Sequence, residues 1–150
     1  MKRIDKNCLF CKIVGRELDH VPVLEDAQVL AIMDLYPATP GHVLVLPKNH
    51  IETLYEMPVD VGAQLMTKAI MVAKAIKEKL SPVGLNLIQS NGVAAGQVIP
   101  HFHLHLVPRY KGDPVSLRFG HGNAPGNVAE LNRIASLVKS GLGLERRNMG

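Results

Sequence analysis

A chain of 150 residues, 47% of them apolar and 20% charged, can enclose one aliphatic core and is too short for two ordinary domains. With three Phe, three Tyr and no Trp, it lacks the aromatic platforms on which single-stranded nucleic acid stacks. The 17 Lys and Arg against 13 Asp and Glu leave a formal +4; these cations are scattered, so the expected partner is a small phosphate compound and not a nucleic acid.

No apolar run approaches the length of about eighteen residues that spans a bilayer, and Met1 to Asn7 lacks the apolar segment of a signal peptide. The expectation is a cytoplasmic protein with no membrane contact. Its only two cysteines, Cys8 and Cys11, form one Cys-x-x-Cys, which in a reducing compartment suggests metal or redox work or two small buried hydrophobes, not a disulfide framework.

In chain order, Leu9 to Val14 reads as one or two turns of helix closed by Gly15. Val21 to Leu24 and Val29 to Leu35 read as strands joined by a polar turn, and His42 to Leu46 as a third strand between Pro40-Gly41 and Pro47. Between Pro58 and Pro82, Val61, Leu65, Ala69, Val72, Ala73, Ile76 and Leu80 recur at helical spacing, with Asp60 as the expected N-cap. Gly84 to Gln89 and His101 to Val107 make a fourth and a fifth strand, the latter ended by Pro108. From Lys111 to Asn127 the composition turns irregular, before a helix from about Val128 to Leu137 and a frayed end from Glu145. The fold class is α+β: a five-stranded, mainly antiparallel sheet with one long helix and shorter ones. A single domain covers 1–150, with its motif-bearing core at about 7–110 and an irregular extension over 111–150.

His101-Phe102-His103-Leu104-His105-Leu106 carries the chemistry. An extended chain alternates its faces, so His101, His103 and His105 share one side and Phe102, Leu104 and Leu106 the other. Buried imidazoles need partners, and rings that ionise near neutral pH can divide the roles of nucleophile, acid and base or bind a metal. A His-rich solvent face is the bland alternative. The preceding loop, Asn91-Gly92-Val93-Ala94-Ala95-Gly96-Gln97, puts small residues where a backbone can approach a phosphate, with the Asn91 and Gln97 amides as flanking donors.

His-x-His-x-His followed by two apolar residues resembles the signature of the histidine triad family of nucleotidyl hydrolases and transferases. The likeness runs from about Asn7 to Arg109, through Cys8-Leu9-Phe10-Cys11, Asp34-Leu35, Pro40-Gly41-His42 and Pro47-Lys48-Asn49-His50 to Asn91, Gly96-Gln97 and the three histidines. It is nearest to the zinc-carrying bacterial branch. The resemblance implies that His103 is a nucleophile that forms a nucleotidyl-histidine, with His105 on the phosphate oxygens and His42 beside them. It further implies that Asp34 holds the ribose and that Leu9, Phe10, Ile32 and Leu35 pocket a purine base. Asn91, Gly96, Gln97 and Val98 would line the phosphate side. Val98 departs from the Ser or Thr of many relatives, which removes a hydroxyl from the leaving-group side.

Under the same resemblance, Cys8, Cys11, His50 and His101 complete a structural zinc site, the chemistry itself needs no metal, and the protein pairs as a homodimer through the long helix and a strand. The implied reaction is hydrolysis at the α-phosphate of nucleoside phosphoramidates or aminoacyl-adenylates. The alternatives are a dinucleoside polyphosphate hydrolase and a nucleotide-binding regulatory module with little turnover.

Overall fold

The computed structural model describes residues 4–115 and 125–143. Five strands, β1 (Pro22–Glu25), β2 (Val29–Met33), β3 (Val43–Pro47), β4 (Gly84–Ile88) and β5 (Leu104–Arg109), form one antiparallel sheet in the order β1-β2-β3-β5-β4. Three helices, α1 (Leu9–Val14), α2 (Val59–Leu80) and α3 (Val128–Gly141), cover it, with single 3-10 turns at Leu54–Glu56 and Val93–Ala95. The β1–β2 register shifts between Pro22 and Leu24, a bulge at the sheet edge.

Every residue of β2 and β3 is buried, because both faces of the sheet are covered. Val29, Ala31, Met33, Val43 and Val45 point to one side, where Leu65, Ala69, Val72 and Ile76 of α2 and Leu131, Ile134 and Val138 of α3 close the larger core. Leu30, Ile32, Leu44 and Leu46 point to the other, against Phe10, Cys11 and Ile13 of α1. Period-two alternation thus feeds two cores from the same strands. Phe102, Leu104 and Leu106 join the α2 side, which turns His101, His103 and His105 toward α1.

Four details differ from the expectations. Pro58, not Asp60, holds the N-cap of α2; Asp60 lies in the first turn, where a carboxylate faces the positive end of the helix dipole. Strand β5 begins only at Leu104: the Phe102 N–H donates to the Ile51 carbonyl, 2.6 Å away on the segment after β3. It then continues through Pro108 to Arg109. Its pairing with β3 ends at Leu106, so the proline breaks no ladder bond there. The 111–150 extension is not irregular throughout, since α3 runs on to Gly141 with four of its residues buried. His121 and the stretch from Glu145 lie outside the described residues.

Strand β4 is the exception to burial. It forms a sheet edge, and its five residues are all exposed or half-buried. Leu85 and Leu87 on β4 are exposed, as are Met66, Ile70 and Met71 on the outer face of α2.

Candidate active site

Two groups of polar side chains occupy the α1 side of the sheet. The first is built on the start of α1, where Cys8 is the N-cap residue and Cys11 follows within the first turn, so both thiols leave the same end of the helix. His101 Nδ1 lies 3.4 Å from Cys8 Sγ and 3.7 Å from Cys11 Sγ, and His50 Nδ1 lies 3.4 Å from Cys11 Sγ. All four donor atoms fall within 4.8 Å of one another, and all four residues are buried.

The far side of each ring fixes its tautomer. His101 Nε2 donates to the Pro47 carbonyl at 2.9 Å, leaving the Nδ1 lone pair toward sulfur. His50 Nε2 faces the Glu52 carboxylate at 3.5 Å and Asp5 at 3.9 Å. An imidazole whose outer nitrogen is held by an oxygen acceptor is the arrangement that metal-ligating histidines adopt. Burial pushes the Cys11 thiol up to about 11, so a thiolate here calls for a cation. Two sulfurs and two imidazole nitrogens form the donor set of a closed tetrahedral zinc site, and the residues fit that ion.

The second group lines a cavity between α1 and the sheet. Leu9, Phe10 and Ile13 form one wall, Ile32 and Leu44 the floor, and Asp34, Leu35 and Tyr36 the end of β2; Gly96, Val98 and Ile99 lead to His103 and His105. The structure therefore brings Leu9, Phe10, Ile32, Asp34, Leu35, Gly96, Val98, His103 and His105 to one cavity. It places Asn91 and Gln97 outside that lining. Asn91 Oδ1 accepts the Leu54 N–H at 2.6 Å and its amide donates to Gln89. Gln97 Oε1 accepts the Gly92 N–H at 2.6 Å, while its Nε2 donates to the Glu52 carbonyl at 2.7 Å. Both amides brace the loop, whose Gly92 and Gly96 take φ values of +81° and +85° that only glycine adopts without strain.

Sequence reasoning missed Ile13, Asp19, His20, Met33, Tyr36, Leu44 and Ile99 as lining residues. Ile13 was within reach, being one helical turn from Leu9 and Phe10. Asp19 and His20 sit on the connection before β1, and no spacing marks them.

Hydrogen bonds settle the protons of His42, His103 and His105. The Ala38 N–H donates to His42 Nδ1 at 3.0 Å, so a neutral His42 carries its proton on Nε2. That Nε2–H faces His105 Nδ1 at 2.9 Å and Asp34 Oδ2 at 3.4 Å. As His105 accepts at Nδ1, its own proton sits on Nε2. His103 is set the opposite way: Nδ1–H donates to the His101 carbonyl at 2.7 Å, which leaves the lone pair on Nε2. The rings of His103 and His105 are 4.8 Å apart between centroids.

Burial depresses the whole set. It drives His42 down to about 4 and His105 to about 3, and it lowers His103 against the opposing pull of its bond to the His101 carbonyl and of the Asp34 charge. All are neutral at pH 7. Burial also raises the Asp34 carboxyl, while the Tyr36 N–H, donating at 2.8 Å, stabilises its anion. Asp34, His42 and His105 lie close enough to suggest a second metal cluster. The Ala38 bond opposes it, because a neutral His42 that accepts at Nδ1 has no lone pair left at Nε2. In this trio His42 Nε2–H donates to His105 Nδ1, with the Asp34 carboxylate alongside at 3.4 Å.

The family model described as "HIT domain" matches residues 15–112. "Protein hit" of Bacillus subtilis is 43% identical over 109 residues, covering 72% of this chain and 75% of that one. "Adenosine 5'-monophosphoramidase hnt1" of Schizosaccharomyces pombe is 31% identical over 134 residues, covering 89% and 97%. A zinc-bound histidine triad family protein from Mycobacterium smegmatis superimposes with a TM-score of 0.79 at 33% identity, covering 93% of this chain and 95% of that one.

Proposed function

The chain belongs to the HIT domain family, and on that premise we propose that it is a hydrolase acting at the α-phosphate of nucleoside 5'-phosphate derivatives. The observation that supports this reading is that His103, with its proton on Nδ1 and its Nε2 lone pair unprotonated, lines the same cavity as the Asp34 carboxylate just after β2.

In this reading the base lies among Leu9, Phe10, Ile32 and Leu35, where apolar side chains suit a flat purine, and Asp34 accepts hydrogen bonds from the ribose hydroxyls. His103 Nε2 attacks the α-phosphorus. A phosphorus–nitrogen bond forms, the bond to the leaving group breaks, and the leaving group takes the electron pair. The Nδ1–H of His103 stays on the His101 carbonyl and stabilises the imidazolium that develops. His105 donates from Nε2 to a phosphoryl oxygen, with its orientation set by His42. Water then attacks phosphorus, the nucleoside monophosphate leaves, and His103 is regenerated. Dividing the displacement into two steps through a neutral imidazole is the usual gain of covalent catalysis.

Substrate choice follows from the wall at Val98, which lines the cavity and has no side-chain proton to give. Leaving groups that depart as stable anions, such as the carboxylate of an acyl-adenylate, are favoured over amines, which must be protonated as they go. A dinucleoside polyphosphate would use the same nucleophile with a phosphate leaving group. A protein that holds nucleotides without turnover would show no covalent intermediate, and quenching the enzyme with an acyl-adenylate and searching for a nucleotidyl mass on His103 decides between the two.

Zinc held by Cys8, Cys11, His50 and His101 would supply a structural clip with no open coordination position. It would tie α1, which carries Phe10, to the ends of β3 and the triad segment. Homodimerisation is part of the proposal as well. Exposed Leu85 and Leu87 on edge strand β4, with Met66, Ile70 and Met71 on α2, are the apolar surface that a second copy would cover.

A further inference from the structure

The four side chains assigned to the base, Leu9, Phe10, Ile32 and Leu35, are apolar, and an apolar slot grips a flat ring without telling one purine from another. Two polar residues line the same cavity and take no part in the reaction described above: Asp19 and His20, on the connection between α1 and β1. We propose that Asp19 and His20 form a subsite for the far edge of the base, which selects purines that carry an exocyclic amino group. The inference rests on the proposed function, since it takes the cavity to hold a nucleotide.

Their position follows from the register of the sheet. His105 on β5 pairs with Leu44 on β3, Leu44 with Ile32 on β2, and Ile32 with Pro22 on β1. This row crosses the sheet in three strand spacings, about 14 Å, and Leu44 and Ile32 along it make the floor of the cavity. The Val21 carbonyl accepts the Met33 N–H at 2.9 Å, so the chain through Asp19 and His20 enters the sheet beside the end of β2. A nucleotide with its phosphate at His103 and His105 and its ribose at Asp34 therefore presents the far edge of its base to Asp19 and His20.

Both residues offer acceptors there. The Leu18 carbonyl lies 3.5 Å from His20 Nδ1 and can only accept, which puts the ring proton on Nδ1 and the lone pair on Nε2. That Nε2 is shielded from water and has no hydrogen-bond partner among the described residues, and a desolvated acceptor left unmet is unfavourable. A contact at 3.5 Å holds the ring loosely, so a turn about its Cβ–Cγ bond brings Nε2 to a donor in the cavity. Asp19 is exposed at the same wall, and its carboxylate adds a second acceptor with a negative charge. Two neighbouring acceptors suit the N–H groups of an amino substituent and repel a bare ring nitrogen or a carbonyl oxygen. Adenine carries such a group at its 6-position and guanine at its 2-position.

Calorimetric titration of the full-length protein with nucleoside 5'-monophosphates reads the effect. AMP is compared with purine riboside 5'-monophosphate, which lacks only the 6-amino group, and GMP with IMP, which lacks only the 2-amino group. At least one amino form is expected to bind about ten-fold or more tighter than its counterpart, and the pair that shows the gap identifies the base that is read. In the Asp19→Ala, His20→Ala double variant that ratio is expected to fall to near one, through weaker binding of the amino form alone. A merely structural role would weaken both members of a pair alike and leave the ratio standing. Should the double variant fail to fold, His20→Ala by itself is expected to lower the ratio, and the comparison in the unaltered protein needs no substitution. Equal binding within both pairs in the unaltered protein overturns the proposal, as does a ratio that persists in the variants. Binding without discrimination leaves the proposed function standing, whereas failure of all the nucleotides to bind overturns that function and this subsite together.

Discussion

The backbone N–H of Ala38 donates to Nδ1 of His42 at 3.0 Å, and this bond orders the protons of the active site. It places the His42 proton on Nε2, aims it at His105 Nδ1 2.9 Å away, and so leaves the His105 proton on Nε2. Replacing His42 by Ala removes the donor that holds His105 Nδ1, while His103 keeps its own bond to the His101 carbonyl. The expected result is a fall in kcat of about 10²-fold with a smaller change in KM. Steady-state kinetics of the variant measure this directly, and a rise in KM alone would reassign His42 to binding.

Removal of the proposed nucleophile, His103, should be far more severe. His103→Ala is expected to lower turnover by at least about 10³-fold and to abolish the nucleotidyl adduct, while nucleoside monophosphate still binds in calorimetry. Turnover equal to that of the unaltered protein would refute the assignment.

Activity should persist into mildly acidic solution. An ordinary imidazole is half protonated near pH 6.5, and protonation consumes the lone pair that attacks. Burial lowers the His103 value, and lowers its neighbours His42 and His105 to about 4 and 3. His103 therefore stays mostly neutral as the pH drops to 6.5, and activity that depends on its lone pair is expected to be lost only below that. A kcat/KM profile with its acid limb centred at or above 6.5 contradicts this.

Leaving-group chemistry gives a selective test at the cavity wall. Val98→Ser adds a hydroxyl where the chain has none, and is expected to raise hydrolysis of an adenosine phosphoramidate by about ten-fold or more with little change for an acyl-adenylate. Parallel assays of both substrates report the ratio. An equal effect on the two would mean that position 98 acts through binding.

Much of the architecture was legible because two periodicities are plain in the chain. Helical spacing from Val61 to Leu80 matches α2, and alternation around Leu104 to Leu106 correctly divided apolar from imidazole faces. What it could not show was that His101 and His103 precede the strand ladder, since an unpaired extended segment carries the same alternation as a paired one. The docking of α3 was under-read for a related reason: four buried residues on one face of a short helix are a weak signal until the larger core supplies their partners. At the cavity, Asn91 and Gln97 read as ligand donors because an amide's chemistry is visible in sequence and its partner is not. In the fold both are engaged by the Leu54 and Gly92 N–H groups. Asp19 and His20 reach the cavity from a connection that shows no pattern at all.

The central sheet keeps the long-helix core and the cavity histidines on opposite sides, with adjacent residues of one strand serving each. This partition matters for anyone altering the protein. Volume-conserving changes among Leu65, Val72, Ile76, Ile134 and Val138 can be used to tune heat resistance, and the imidazoles need not notice. The same liberty does not extend to Leu30, Ile32, Leu44 or Leu46, whose side chains share the layer of α1 and of the cavity. Robustness and reactivity are thus adjustable as separate dials, one on each side of a single layer of backbone.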